Sequence, residues 1–143
     1  VARSGVGASG LMQLMPGTAL WVAKKIGIKN LTPSAVNEVG TNVQLGTFYL
    51  KTVLDSLGNQ PVLATAAYNA GPGRARAWQG SQPIEGAIYA ESIPFSETRD
   101  YVKKVMANAY YYSQAFGQYG LTLKQRLGTI SGRSGAEPID DTP

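Results

Sequence analysis

Proline opens and glycine closes almost every apolar run in this chain, and that punctuation restricts it to a set of short helices. Pro16 stands where the first turn of a helix needs no N–H, and Gly27 follows Ile26 as a left-handed stop. Thr32-Pro33 reads as an N-cap and a first-turn proline. Pro61 starts an apolar helix over Val62–Tyr68, which Asn69-Ala70-Gly71-Pro72-Gly73 breaks into a loop. A short segment around Arg74–Trp78 follows. Ser81–Glu85 reads as a turn region and Ile93-Pro94-Phe95 as extended, because a residue before proline avoids the α region. Ser96 is expected to cap a last long helix that Gly117 closes, with Glu97 set against the positive end of the dipole. Little reads as strand.

Two helices are long enough to predict a buried face. In the first, Val39, Val43, Gly46, Leu50, Val53, Leu54 and Leu57 fall at helical spacing before Gly58. Gly46 on that face costs about 1 kcal/mol relative to alanine, so a close helix–helix approach is expected there. In the second, the stripe is Thr98, Val102, Val105, Ala109, Tyr112 and Phe116. After Leu127 the composition shifts to Gly, Ser, Pro and Asp, which predicts a flexible C-terminal tail over 128–143.

The 143 residues suit one domain, here 1–127, with an ordinary hydrophobic content of 43%. No apolar run approaches the roughly 18 residues of a membrane span. Cysteine and histidine are absent, which excludes Ser–His–Asp and Cys–His nucleophilic sites and argues against a zinc centre. Proton transfer then falls to Asp, Glu, Tyr or Lys. The net charge of +4 favours a polyanionic partner, but the basic residues are scattered and form no nucleic-acid stripe.

Three stretches break the rules of helix building, and sites concentrate where such rules break. Gly7-Ala8-Ser9-Gly10-Leu11-Met12-Gln13-Leu14-Met15-Pro16 is either a glycine turn with methionine core filler or a glycine-lined groove floor. In the latter, Gln13 offers an amide and Met15 an apolar wall. Ala66-Ala67-Tyr68-Asn69-Ala70-Gly71-Pro72-Gly73 is either a helix stop around a buried tyrosine or a functional loop. It lacks the Gly-Lys-Ser/Thr of a phosphate loop. In Tyr89–Val102, Glu91 sits in sequence among Tyr89, Ile93, Pro94 and Phe95. Apolar surroundings would raise its pKa and suit it to acid chemistry; the alternative is a structural ion pair, for instance with Arg99.

Together and in this order, the three stretches resemble the catalytic domain of the soluble lytic transglycosylases. The resemblance covers Val1 to about Phe116, and Leu121–Leu127 is also similar. It implies a mainly α, goose-lysozyme-like domain with a glycan-binding groove, and no cofactor or metal. The implied reaction cleaves the MurNAc-β-1,4-GlcNAc bond of peptidoglycan and leaves 1,6-anhydroMurNAc ends. One glutamic acid protonates the leaving oxygen and then acts as base towards the sugar's own C6 hydroxyl. Most glycosidases need a second carboxylate; here an intramolecular nucleophile takes its place.

By the same resemblance Ser4, Gln13, Met15 and Asn69 are substrate-binding residues. Tyr68 is the hydroxyl that holds the acid or the substrate's N-acetyl group, and Glu91 is a supporting acid. The family's main acid lies in a Glu-Ser pair on a helix upstream of Ser4. Glu91-Ser92 is also a Glu-Ser pair, but Ile93-Pro94-Phe95 assigns it to the third motif. The expectation is therefore a catalytic domain lacking its N-terminal Glu-bearing helix, with that helix elsewhere in the same polypeptide rather than in another chain. The implied partners are peptidoglycan glycan strands, other cell-wall enzymes and the upstream polypeptide, not nucleic acid. The implied location is the periplasm, with the outer membrane as a further site. A non-catalytic peptidoglycan-binding module and a hydrolytic goose-type lysozyme are the alternatives.

Overall fold

The computed structural model describes residues 2–134 and 142–143. It divides into two compact units, Val1–Thr52 with Asp141–Pro143, and Val53–Asp140. The described residues form eight helices and two short strands.

In the first unit, α1 (Pro16–Ile26) has Pro16 in its first turn, and Gly27 caps it in the left-handed region at φ 79°. The α2 turn (Pro33–Val36) is capped by Thr32, whose side chain accepts from Ala35 N. Helix α3 (Val39–Ser56) crosses the boundary between the units. Its inward face keeps Gly46, Val53 and Leu57 of the predicted stripe and corrects the rest. The buried residues are Asn42, Leu45, Gly46, Tyr49, Val53 and Leu57, whereas Val39, Val43 and Leu50 are exposed. The two stripes differ by a rotation about the helix axis, and both are apolar enough to satisfy a 3.6-residue pattern. Gly46 does permit a close approach, but to a loop and not to a helix. A Cβ there would lie 2.5 Å from Met12 Cβ.

In the second unit, α4 (Pro61–Ala70) runs through Asn69 and Ala70, and the expected five-residue loop shrinks to Gly71. At φ 90° and ψ 146° this glycine turns the chain sharply, and Pro72 immediately opens α5 (Pro72–Ala77). Strand β1 (Ile84–Glu85) leads into α6 (Gly86–Ser92), a helix that the sequence pattern does not announce. Then comes α7 (Ser96–Ala115). Its N-cap is Phe95 without a side-chain bond, so Ser96 occupies the first turn and is not the cap. Gly117 closes the helix at φ 71°. Only the first half of the predicted α7 stripe is covered: Thr98 and Val102 are buried, but Ala109, Tyr112 and Phe116 are exposed. Helix α8 (Leu123–Leu127) carries a full capping box between Thr122 and Gln125.

The flexible tail expected from Gly128 is corrected for 128–134. Strand β2 (Thr129–Ile130) pairs antiparallel with β1, Ile84 opposite Ile130. Ile130 is buried, and Ser131 N donates to Gln60 Oε1 at 2.8 Å while Gln79 Nε2 donates to Ser131 O at 2.9 Å. The rest of that expectation, 135–141, lies outside the described residues.

Two buried tyrosines make the fold alkali-sensitive. Burial pushes the Tyr49 phenol up to about 12 and also raises Tyr89. A phenol with a raised folded-state pKa stabilises the fold fully below its unfolded value of about 10, and that contribution is lost as pH rises towards the folded value. Stability is thus expected to fall between about pH 10 and 12, with tyrosinate absorbance from these two rings appearing only with unfolding. Ionisation of every tyrosine near pH 10 in a still-folded protein would contradict this.

Candidate functional site

The Gly7–Pro16 stretch forms a tight coil in the first unit. Ser9 bridges to both Arg3 and Leu14 in antiparallel fashion. Ser4 closes the coil from the other side: its Oγ accepts from Ala8 N at 3.0 Å, and its own N donates to Ala8 O at 2.8 Å. Gly10 takes the left-handed region at φ 79°.

The residue that anchors this coil was missed in the sequence. Asn42 of α3 is fully buried, at 0% exposure. Its Oδ1 accepts from Met12 N at 2.7 Å, and its Nδ2 donates to Ser9 O at 3.1 Å and Val36 O at 2.9 Å. One amide thereby bonds three backbone groups, of which Ser9 O also accepts from Leu14 N at 3.0 Å. Its sequence signal was an asparagine inside an apolar helix, at the edge of the predicted stripe. Gly10 is a glycine for a related reason, since a Cβ there would overlap the Asn42 amide.

Gln13 and Met15 project from the anchored coil. Gln13 holds a left-handed backbone at φ 49°, a conformation that costs a non-glycine residue about 1 kcal/mol or more. Its Nε2 donates back to Gly10 O at 2.8 Å. Met15 is the residue before α1 and is 43% exposed. Exposure of a thioether on a rigid coil suits contact with a ring rather than core filling.

In the second unit the other two motifs meet. Tyr68 and Asn69 occupy the last turn of α4; Tyr68 is half-buried and Asn69 exposed. Thr98 Oγ1, in the first turn of α7, donates to Asn69 Oδ1 at 2.7 Å. Tyr89 of α6 is completely buried and its hydroxyl donates to Ala75 O of α5 at 2.8 Å. Phe95 completes the junction: it packs edge-on to Trp78 at 5.2 Å between centroids, with the Arg74 guanidinium 5.3 Å from its ring. Arg99 Nη1 donates to Ile93 O at 2.8 Å and holds the proline corner.

Glu91 differs most from expectation. It borders a small apolar cleft of about 230 Å³ whose walls include Val102, Met106 and Leu127. Yet its side chain is 62% exposed, and Lys103 Nζ stands 2.6 Å from Oε1. The hydrogen bond and charge of Lys103, helped by Arg99, hold its carboxyl below the usual carboxylate range, against a weaker desolvation effect. Of the two readings that the sequence left open, the ion pair holds, and the raised pKa expected from its apolar sequence neighbours gives way to a lowered one. Those neighbours surround it along the chain, but α6 turns the carboxylate outward to Lys103. The ion pair forms with Lys103 and not, as weighed from sequence, with Arg99.

Among the described residues no group of three or more His, Cys, Asp or Glu could hold a metal ion, and no helix is long and apolar enough to cross a membrane.

Comparison with known proteins connects these features. Residues 1–89 match the family described as Transglycosylase SLT domain, and residues 92–121 match the Soluble lytic transglycosylase helical domain. A soluble lytic murein transglycosylase of Salmonella typhimurium is 50% identical over 119 residues, 81% of this chain and 18% of that protein. Its Escherichia coli counterpart is 48% identical over 118 residues, 80% of this chain and 18% of that protein. Among solved structures, an inactive mutant of the lytic transglycosylase Slt from Pseudomonas aeruginosa aligns with a TM-score of 0.77 at 44% identity, covering 83% of this chain and 20% of that one. The 70 kDa soluble lytic transglycosylase of Escherichia coli aligns with a TM-score of 0.76 at 44% identity, covering 89% of this chain and 20% of that one. The chain thus spans about one fifth of the relatives it matches.

Proposed function

The chain belongs to the SLT family of transglycosylases, and on that premise we propose that it is most of the catalytic domain of a peptidoglycan lytic transglycosylase. The domain covers 1–127 together with the docked 128–134. Its substrate is the glycan strand, cut at the MurNAc-β-1,4-GlcNAc bond with 1,6-anhydroMurNAc as product, in the periplasm during cell-wall turnover. Ser4, Gln13, Met15 and Asn69 bind the strand. Tyr68 holds the acid or the substrate's N-acetyl group.

The observation that carries this proposal is the state of Glu91. A proton donor must be protonated at working pH, and Lys103 keeps Glu91 ionised. Glu91 therefore serves as a fixed negative charge that steadies the cationic centre and orients its surroundings. The donor is a second glutamic acid on the Glu-bearing helix proposed to lie outside this sequence. A single acid with a supporting carboxylate suits a reaction whose nucleophile is the sugar's own C6 hydroxyl, since no water has to be activated. The positive φ of Gln13 supports a binding role for the coil: strain kept at a non-glycine residue is characteristic of functional sites.

The test is mass spectrometry of peptidoglycan digested by the native-length protein. Anhydro ends are expected; reducing ends would indicate a hydrolytic lysozyme, and binding without cleavage a non-catalytic module. Within that assay, Glu91→Gln should slow turnover yet leave residual activity and a nearly unchanged thermal midpoint. The small stabilising effect of the exposed Glu91–Lys103 pair exists above the ordinary carboxylate pKa and fades only as pH falls through the lowered one. Complete inactivation by Glu91→Gln would make it the proton donor and overturn its supporting role.

A further inference from the structure

A buried hydroxyl on α7 is directed at an exposed side chain of α4. Thr98, in the first turn of α7, is 2% exposed, and its Oγ1 donates to Asn69 Oδ1 at 2.7 Å. Asn69 stands in the last turn of α4 and is exposed. Thr47, Thr52 and Thr65 behave differently: each turns its hydroxyl back to the carbonyl four residues earlier. Thr98 lies too near the start of α7 to have a helical carbonyl behind it, and it reaches across to the neighbouring helix instead. The next residue, Arg99, bonds Ile93 O at 2.8 Å and fixes that start of α7.

The direction of this bond decides what Asn69 shows to the outside. A hydroxyl buried to this degree needs an acceptor for its proton, and Oδ1 is the acceptor end of the amide. Nδ2, with two N–H donors, is therefore the end turned away, and among the described residues it has no partner. An exposed asparagine at a helix end is ordinarily free to rotate and to turn either end of its amide outward. Here a buried, β-branched residue imposes one arrangement before any ligand arrives, which is preorganisation. On the reading of Asn69 as a strand-binding residue, we propose that Thr98 is a positioning residue of the glycan site, presetting the Asn69 amide so that Nδ2 donates to an acceptor oxygen of the bound strand. Thr98 acts only through Asn69 and does not itself touch the strand.

Steady-state formation of anhydro ends by the native-length protein, from peptide-free glycan strands, tests this. Thr98→Val removes the hydroxyl and nearly keeps the shape. It should raise KM about fivefold with kcat within about twofold, the pattern of lost binding rather than lost chemistry. Thr98→Ser keeps the hydroxyl and should bring KM back to within about twofold of wild type. Asn69→Asp still accepts from Thr98 but has no N–H to offer, so KM should rise at least about fivefold, as in Asn69→Ala. Adding Thr98→Val to Asn69→Ala should raise KM no further, because both remove one bond. An unchanged KM in Thr98→Val, an equal loss in Thr98→Ser, or additive losses in the double variant would overturn the inference. So would a wild-type KM in Asn69→Asp, an arm that stands even where Thr98→Val fails to fold, since Asn69 is exposed. A wild-type KM in Asn69→Ala would remove the binding role of Asn69 and this inference with it; a raised KM there with an unchanged one in Thr98→Val would remove the inference alone. Should the wild type form no anhydro ends, the activity falls, and the same variants are compared by calorimetric Kd for the uncleaved strands, with the same outcomes deciding.

Discussion

Asn42→Ala is expected to cost about 2–4 kcal/mol, the largest effect of any single polar truncation in the first unit. The substitution leaves Met12 N and Val36 O without the Asn42 amide, while Ser9 O keeps its bond from Leu14 N, and each orphaned backbone group costs about 1–3 kcal/mol. Partial solvation of the loosened coil keeps the total below the simple sum. Measured by urea unfolding, that loss is a large share of the roughly 5–15 kcal/mol of a typical domain. Asn42→Asp should be worse, because a carboxylate cannot donate to Ser9 O and Val36 O and would be buried as a charge. Gly10 supplies a check on the geometry. Gly10→Ala clashes with the Asn42 amide and strains a left-handed residue. In an Asn42→Ala background only the strain of about 1 kcal/mol should remain. Additive costs for the pair, or an Asn42→Ala loss under about 1 kcal/mol, would show that the amide does not anchor the coil. On the binding role proposed for Gln13 and Met15, the same substitution should weaken glycan binding, since both stand on that coil.

Gly86→Ala is the second. Gly86 N donates to Gly128 O at 2.7 Å, and a Cβ on Gly86 would overlap the carbonyl oxygen of Leu127. Neither side of that contact is a flexible side chain, so backbone must move, at a cost of about 2–3 kcal/mol. The displaced strand is β2, with Ile130 buried in the second unit and Ser131 bonded to Gln60 and Gln79. Hydrogen exchange at Ile130 should rise sharply and the urea midpoint fall. Retained protection at Ile130 with stability within about 0.5 kcal/mol of wild type would refute the tight approach. Because α6 begins at Gly86, the substitution also shifts the helix that carries Tyr89 and Glu91.

Legibility of the fold followed the range of the interaction. Pro16, Gly27, Thr32, Pro33 and Gly117 were readable because a fixed φ, a left-handed cap or a capping hydroxyl acts within one helical turn. Which side of α3 faces inward was not readable. Val43 and Leu50 are as apolar as Leu45 and Tyr49, and the choice was made by the coil that arrives at Met12 and Ser9. The order in β2 was hidden for a similar reason: Gly, Ser and Thr look like linker until Ile84 stands opposite Ile130.

The candidate site divided in the same way. Its motifs, and the absence of histidine and cysteine, were in the sequence, which by itself determined the family and the kind of chemistry such a chain can support. The tertiary structure alone decided how its charges behave. Glu91 has apolar neighbours in sequence, but its pKa depends on Lys103, which reaches it from another helix. Asn42 has no functional signature in sequence, yet it holds the coil that presents Gln13 and Met15. Bonding within a turn is encoded by adjacent residues; burial and electrostatics depend on groups that only folding brings together.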